Sequence, residues 1–278
     1  MHGLSGKSRY VTVDGINIHY VEAGQGSPVM LYHGLASAVF TWRGNMTALS
    51  RHYRVFAFDV LGHGDSDKPD VDYYPWDVAD LMGKAAGQLG LSKAAVIGNS
   101  AGGALGMMMA IKYPDLVSSL VLVGSSGLGK EVPPFIRLLS LPFVGNILQS
   151  HRLGGTRQML QSVFYDRSKA SQDLVDEMHR IRSMPGAKEA VVRTLRRTVN
   201  LRGVRDEFVL SDRLSALGIP IMLVWGAQDT MFSVSHAYRT SKLMPAARLE
   251  IFDQCGHWPH MEKAEEFNTL ALDFLSSY

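Results

Sequence analysis

The sequence has only one cysteine, Cys255, in 278 residues. That rules out an intrachain disulfide and any zinc site built on several thiolates. In a tight loop beside glycine, Cys255 reads as a small buried residue rather than a redox centre. Long hydrophobic runs are also missing. The longest, Ala101 to Ile111, is far shorter than the roughly 18 apolar residues of a membrane span and reads as a buried helix. The stretch Met1 to Tyr10 is polar and lacks an apolar signal core. Neither sign of charge dominates, with 28 Lys+Arg against 26 Asp+Glu. The one basic concentration, Arg193, Arg196, Arg197, Arg202 and Arg205, has the spacing of a solvated helix face. The expectation is a soluble, cytoplasmic protein with no nucleic-acid and no membrane partner. Its oligomeric state is not readable, and a homodimer stays open.

What is present is core material. Hydrophobic residues make up 46% and charged residues 19%, which excludes disorder and supports a sizeable interior. Short β-branched runs alternate with helical patterns, as in an α/β fold whose parallel sheet has helices on both faces. Tyr10–Val13 and Ile16–Glu22 flank Asp14-Gly15, a hairpin signal for an antiparallel opening pair. Further strands are expected at 29–32, 54–59, 94–98, 116–123, 219–225 and 248–252. Helices are expected at 42–49, 77–89, 102–112 and 264–276. From 127 to 214 the alternation stops. That stretch has four helical segments (135–139, 156–163, 172–183 and 188–201) and no convincing strand. The expected organisation is a core domain of residues 1–126 and 215–278, with residues 127–214 as a helical cap over the carboxyl ends of the strands, where open α/β sheets bind ligands.

Gly98-Asn99-Ser100-Ala101-Gly102 fits Gly-x-Ser-x-Gly, with a strand before it and a helix after it. A side chain in so tight a turn is strained, and small residues on either side relieve the crowding. The hydroxyl is then held at the sheet edge near a helix N-terminus, which favours developing negative charge. A serine hydroxyl is a weak nucleophile at neutral pH, so a base and a group to orient it are required. His257, in Cys255-Gly256-His257, follows one late strand; Asp229, in Gly226-Ala227-Gln228-Asp229, follows another. Rival histidines have other readings. His33 and His63 precede glycine and make local hydrogen bonds, His260 is the nearest competitor, and His52, His151, His179 and His236 read as surface residues. The oxyanion hole is expected from the backbone amides of Ala101 and Leu35. Each such donor contributes about 3–4 kcal/mol to the transition state.

These motifs, together with His33-Gly34 and Gly62-His63-Gly64-Asp65-Ser66, resemble the α/β-hydrolase superfamily over nearly the whole chain. The resemblance implies a mostly parallel eight-stranded sheet flanked by helices, an inserted helical cap, a Ser-His-Asp triad, and no metal or organic cofactor. Asn99 before the serine, and Cys255-Gly256-His257-Trp258 with Glu262 and Phe267 beyond, are similar to the meta-cleavage-product hydrolases, which split carbon–carbon bonds in ring-opened aromatic dienoates. Two departures run against that subgroup. Leu35-Ala36-Ser37-Ala38 stands where the family has a glycine-rich segment. Met178 stands where the family's cap arginine binds the acidic end of the substrate, although Arg180 and Arg182 are close. With Ser100 at the nucleophile position, the haloalkane dehalogenases and epoxide hydrolases of this fold, which use aspartate there, are excluded. The reading preferred from the sequence is therefore a carboxylic ester hydrolase for small to medium, apolar or aryl esters, working through an acyl-serine. Carbon–carbon bond hydrolysis is the alternative, and a non-catalytic ligand-binding form of the fold is a distant third. Candidate pocket residues are Asn99, Trp42, Phe143, Met231 and Trp258, within a chain that has 14 methionines able to fit irregular apolar shapes.

Overall fold

Alternate residues along a strand face opposite sides of its sheet, and here both sides are apolar because both are covered. In β3 (Pro28–Tyr32), Met30 and Tyr32 join one buried cluster with Phe56 and Phe58, while Val29 and Leu31 join a second with Val55 and Ala57. The computed structural model describes residues 4–141 and 153–278. Besides β3, the strands in chain order are β1 (Lys7–Val13), β2 (Ile16–Ala23), β4 (Arg54–Phe58), β5 (Ala94–Asn99), β6 (Val117–Val123), β7 (Val199–Asn200), β8 (Gly203–Val204), β9 (Ile221–Gly226) and β10 (Arg248–Phe252).

Eight of them form one sheet in the order β1-β2-β4-β3-β5-β6-β9-β10. The pairs β1/β2 and β2/β4 are antiparallel and the remaining neighbours are parallel. Asp14 and Gly15, both at positive φ, make the opening hairpin that the Asp-Gly pair predicts. The chain leaves β3 toward β4 on one side and returns to β5 on the other. The connections that leave the carboxyl ends of β3 and β5 therefore run to opposite faces of the sheet, which opens the crevice where such sheets bind ligands.

One face of the sheet is covered by α1 (Arg43–Leu49) and α11 (Ala264–Ser276), which bury Met46, Leu49, Phe267 and Phe274. The other face is covered by α2 (Pro75–Gln88), α3 (Ala101–Lys112) and α9 (Ser235–Leu243), through Met82, Leu105, Met109 and Ala237. Helix α9 is short and buries His236 and Thr240 along with Ala237, so apolar residues do not mark its inward face.

Between β6 and β9 lie α4 (Pro134–Leu139), α5 (Leu153–Val163), α6 (Gln172–Arg182), α7 (Ala187–Thr198) and the single turn α8 (Ser211–Leu214). The expectation of no strand here needs one amendment, because β7 and β8 pair as an antiparallel ribbon of two residues each. Runs that short show no period. Helix α7 buries Ala187, Ala190, Val191 and Leu195 along one stripe. On its other side Arg193 and Arg197 pair with Asp70 and Asp72, so this part of the basic run is a solvated face bonded to the loop after β4. Among the described residues, no helix is long and apolar enough to cross a membrane.

Candidate active site

Ser100 follows β5 and takes φ 55°, ψ −120°, a region that side chains rarely occupy. Such strain costs on the order of 1–3 kcal/mol and persists only where the surroundings enforce it. They do so here. The Ser100 amide donates to the Val123 carbonyl at 2.9 Å, and the Ser100 carbonyl accepts from the Gly103 and Ser126 amides at 3.0 and 3.1 Å. A Cβ on Gly98 would lie 2.3 Å from the Gly102 carbonyl oxygen, and one on Gly102 would lie 2.2 Å from the Tyr32 carbonyl oxygen. Only glycines let the turn close this tightly against β3.

Asp229 lies just past β9, and its side chain is fully buried. One carboxylate oxygen, Oδ1, accepts the Met231 and Phe232 amides at 2.7 and 3.0 Å. The other, Oδ2, lies 2.8 Å from His257 Nδ1. A carboxylate can only accept, so His257 Nδ1 carries the proton and Nε2 presents a lone pair. No hydrogen bond joins His257 to Ser100 Oγ in this structure, and such contacts commonly tighten only when substrate is bound. Both residues line one cavity, together with Leu35 and Ala101. Among the described residues, no protein acceptor takes the backbone amides of Leu35 or Ala101. The loop carrying Leu35 comes so close that a Cβ on Gly34 would be 3.1 Å from that of Ser100. Ala36 adopts φ 58°, so alanine occupies a left-handed position that glycine would take without strain.

The cavity, of about 400 Å³, lies between the strand ends and the segment that joins β6 to β9. Met231 and Trp258 line it, as the sequence reading expects. Two other pocket assignments are corrected. Trp42 is fully buried under the sheet, its ring 4.3 Å from that of His260, because its large apolar surface is used to pack α1. Asn99 is also buried and away from the cavity wall. Its amide donates to the carbonyls of Val123 and His257, at 3.0 and 3.2 Å, tying the nucleophile's strand to the histidine's loop. Phe143 lies outside the described residues.

Of the rival histidines, His52 is exposed as the sequence reading expects, whereas His179 is half-buried on α6. His33 and His63 hydrogen-bond locally, to the Gly34 and Leu61 carbonyls. His260 is fully buried, and desolvation, with His257 nearby, holds its pKa down at about 3. His236 is not on the surface: it is fully buried, with Nε2 3.0 Å from Glu131. His151 lies outside the described residues. Cys255 is buried, and burial pushes its thiol pKa well up.

Helix α6 turns Met178 into the cavity and, one helical turn later on the same face, Arg182. Burial pulls the Arg182 pKa down, and its only hydrogen bond among the described residues is to the Met159 sulfur at 3.3 Å. Arg180 points away and pairs with Asp65 and Glu177. The spacing of four from Met178 was the available signal for Arg182, but linear alignment passes over it. Glu262, to which the sequence alone assigns no role, is buried and accepts the Gly256 amide beside His257.

One group of residues has metal-ligand spacing among those described: His19, Asp59 and Asp65. Its atoms already serve one another. His19 bonds Asp59 at 2.7 Å and Ser8 at 2.9 Å, and Asp59 also accepts the Val39 and Asp65 amides. This network anchors the loop after β4 and is not arranged to hold an ion.

Comparison with known proteins adds independent observations. The alpha/beta hydrolase family matches residues 29–270. A 2-hydroxy-6-oxo-2,4-heptadienoate hydrolase of Pseudomonas putida is 31% identical, over 97% of this chain and 96% of its own length. A 2-hydroxy-6-oxo-6-(2'-aminophenyl)hexa-2,4-dienoic acid hydrolase of Metapseudomonas resinovorans is 29% identical, over 96% and 90%. Among solved structures, a meta-cleavage product hydrolase from Pseudomonas fluorescens IP01 superposes with a TM-score of 0.83 at 26% identity, covering 97% of each chain.

Proposed function

This chain belongs to the alpha/beta hydrolase family, and from that premise we propose that it is a serine hydrolase of carbon–carbon bonds, acting on acid-ended diketones of the ring-fission type. The observation that carries the proposal is Arg182. A guanidinium in an otherwise mostly apolar cavity has given up much of its water, and no carboxylate of the described residues compensates it. That loss is recovered when a substrate brings an anion, which a planar guanidinium holds with two charge-assisted hydrogen bonds. The names of the relatives point to the same substrate class. On the sequence alone, Met178 in the arginine's aligned place favoured an ester. Arg182 supplies a cation from one turn further along.

In this reading Arg182 and the apolar walls fix the two ends of the substrate, and the segment 127–214 acts as a cap that excludes water. Ketonisation of the bound dienol places the carbonyl to be attacked over Ser100. His257 Nε2 takes the hydroxyl proton as Ser100 Oγ bonds to that carbonyl carbon, and Asp229 stabilises the imidazolium that results. The amides of Leu35 and Ala101 receive the oxyanion. When the carbon–carbon bond breaks, its electron pair passes into the conjugated ketone of the departing fragment, and His257 returns the proton to carbon. Water activated by the same histidine then cleaves the acyl-serine to a carboxylic acid.

The test compares a yellow ring-fission dienoate, followed by loss of its visible absorbance, with a nitrophenyl ester of similar size. Rapid loss of the dienoate colour, abolished in Ser100→Ala, is expected. Brisk ester turnover with the dienoate untouched would overturn the proposal and restore the ester reading.

A further inference from the structure

Glu262 ends the single turn α10 (Pro259–Glu262), just beyond His257, and is only 6% exposed. Its carboxylate gathers three backbone amides from two distant parts of the chain. Oε2 accepts Gly256 at 2.7 Å and Tyr165 at 3.1 Å, and Oε1 accepts Asp166 at 2.6 Å. Gly256 precedes His257. Tyr165 and Asp166 follow α5, the helix that brings Met159 and Val163 to the cavity wall.

Other bonds stitch the same two parts together. The His257 amide donates to the Val163 carbonyl at 2.7 Å. Thr230, next to Asp229, donates its hydroxyl to the Ser162 carbonyl at 2.9 Å. The Trp258 ring meets that of Phe164 edge-on at 5.5 Å. The approach is so close that a Cβ on Gly256 would sit 2.4 Å from the Val163 carbonyl oxygen. The segment 162–166 therefore bonds to the loops of both Asp229 and His257.

We propose that Glu262 is a positioning residue that locks the loop of His257 to the inner segment of the insertion, so that the imidazole keeps its alignment only while that segment is seated. The inference rests on the triad assignment above. His257 is then held from two sides, by Asn99 on its carbonyl from the core and by the Val163 carbonyl of the insertion on its amide, with Glu262 bridging the two parts. Glutamine in place of Glu262 has one acceptor oxygen for three amides, and its NH₂ would face N–H donors. At least one of the two chain segments must be released.

The test uses the whole protein and two readouts that do not depend on the natural substrate. One is the rate at which a fluorophosphonate labels Ser100. The other is the solvent-exchange protection of the His257 Nδ1 proton bonded to Asp229, read far downfield by proton NMR. Glu262→Gln is expected to slow labelling by more than about tenfold, a factor worth ~1.4 kcal/mol, and to shorten the lifetime of that proton. Thr230→Val, which removes only the hydroxyl bond to Ser162, is expected to shift both readouts the same way by less, and it decides the matter if Glu262→Gln does not fold. Glu266→Ala, at an exposed position on α11, should leave both unchanged. Wild-type labelling and an equally protected proton in the folded variants would overturn the proposal. If wild-type Ser100 itself is not labelled, the triad assignment fails instead, and that outcome is distinct.

Discussion

Arg182→Met separates the role of the guanidinium from that of the wall it belongs to. Methionine keeps comparable length and apolar character beside Met159 and Met178, and removes only the charge and its donors. A hydrogen bond to a charged group contributes about 1.5–3 kcal/mol, and truncating one partner of a desolvated charge pair costs about 2–5 kcal/mol. With about 3 kcal/mol lost, kcat/KM for an acid-ended dienoate falls roughly 100-fold. A neutral ester of similar size should change less than about threefold, because it makes no charged contact to lose. Stability should move the opposite way. The free protein half-buries this cation against only a thioether sulfur, so replacing it by an apolar side chain should be stabilising by about 1 kcal/mol, the low end for buried charged groups. A gain of about 1 kcal/mol raises Tm by roughly 2–4 °C in a protein of this size. Absorbance kinetics on both substrates and a thermal melt complete the experiment. An equal loss on dienoate and ester, or a lowered Tm, would refute the reasoning, since Arg182 would then be structural.

Three further outcomes follow from the geometry. In Asp229→Asn, the oxygen should stay with the Met231 and Phe232 amides, so the NH₂ faces His257 Nδ1 and forces the wrong tautomer. Steady-state kinetics should show kcat reduced about 10³–10⁴-fold with little change in KM, and a loss under about tenfold would count against this account. Burial holds His63 and His260 neutral, each with its pKa lowered to about 3, whereas in the unfolded chain they take up protons below about 6.5. The unfolded state thus binds more protons between those limits, so stability is lost as the pH is lowered below about 6.5, by about 1.4 kcal/mol per unit for each histidine. Urea midpoints should drop between pH 7.5 and 5.5, and His260→Phe should flatten the slope; a midpoint independent of pH would sink the argument. Cys255 should resist iodoacetamide in the native protein and react once the chain is unfolded, and rapid native labelling would show that the thiol is not buried as described.

That eight strands form one sheet is implied by resemblance alone, and their order in it is not legible in the sequence. The strands are legible because burial on both faces demands unbroken apolar runs. The turn at Ser100 is legible because only Gly-x-Ser-x-Gly relieves a backbone at that φ and ψ. Asp229 and His257 each lie just past a strand end, so a linear reading reaches them as candidates. The single turns α8 and α10 and the ribbon β7/β8 escaped because they are too short to show a period, and α9 escaped because its buried face includes His236 and Thr240.

Side-chain direction was not legible, and it decides the site. Trp42 and Trp258 are the same residue type, yet one is packed under the sheet and the other lines the cavity. Asn99 adjoins the nucleophile but turns inward to tie two loops. Arg180 and Arg182 are two positions apart on a helix of 3.6 residues per turn, so one pairs with Asp65 outside and the other enters the cavity. The sequence by itself determined the fold class and nominated the three residues of the triad, since strand patterning and turn chemistry are local. Only the tertiary structure decided what the cavity can hold, because that depends on which side chains from distant segments converge on it and on which charges they leave without a partner.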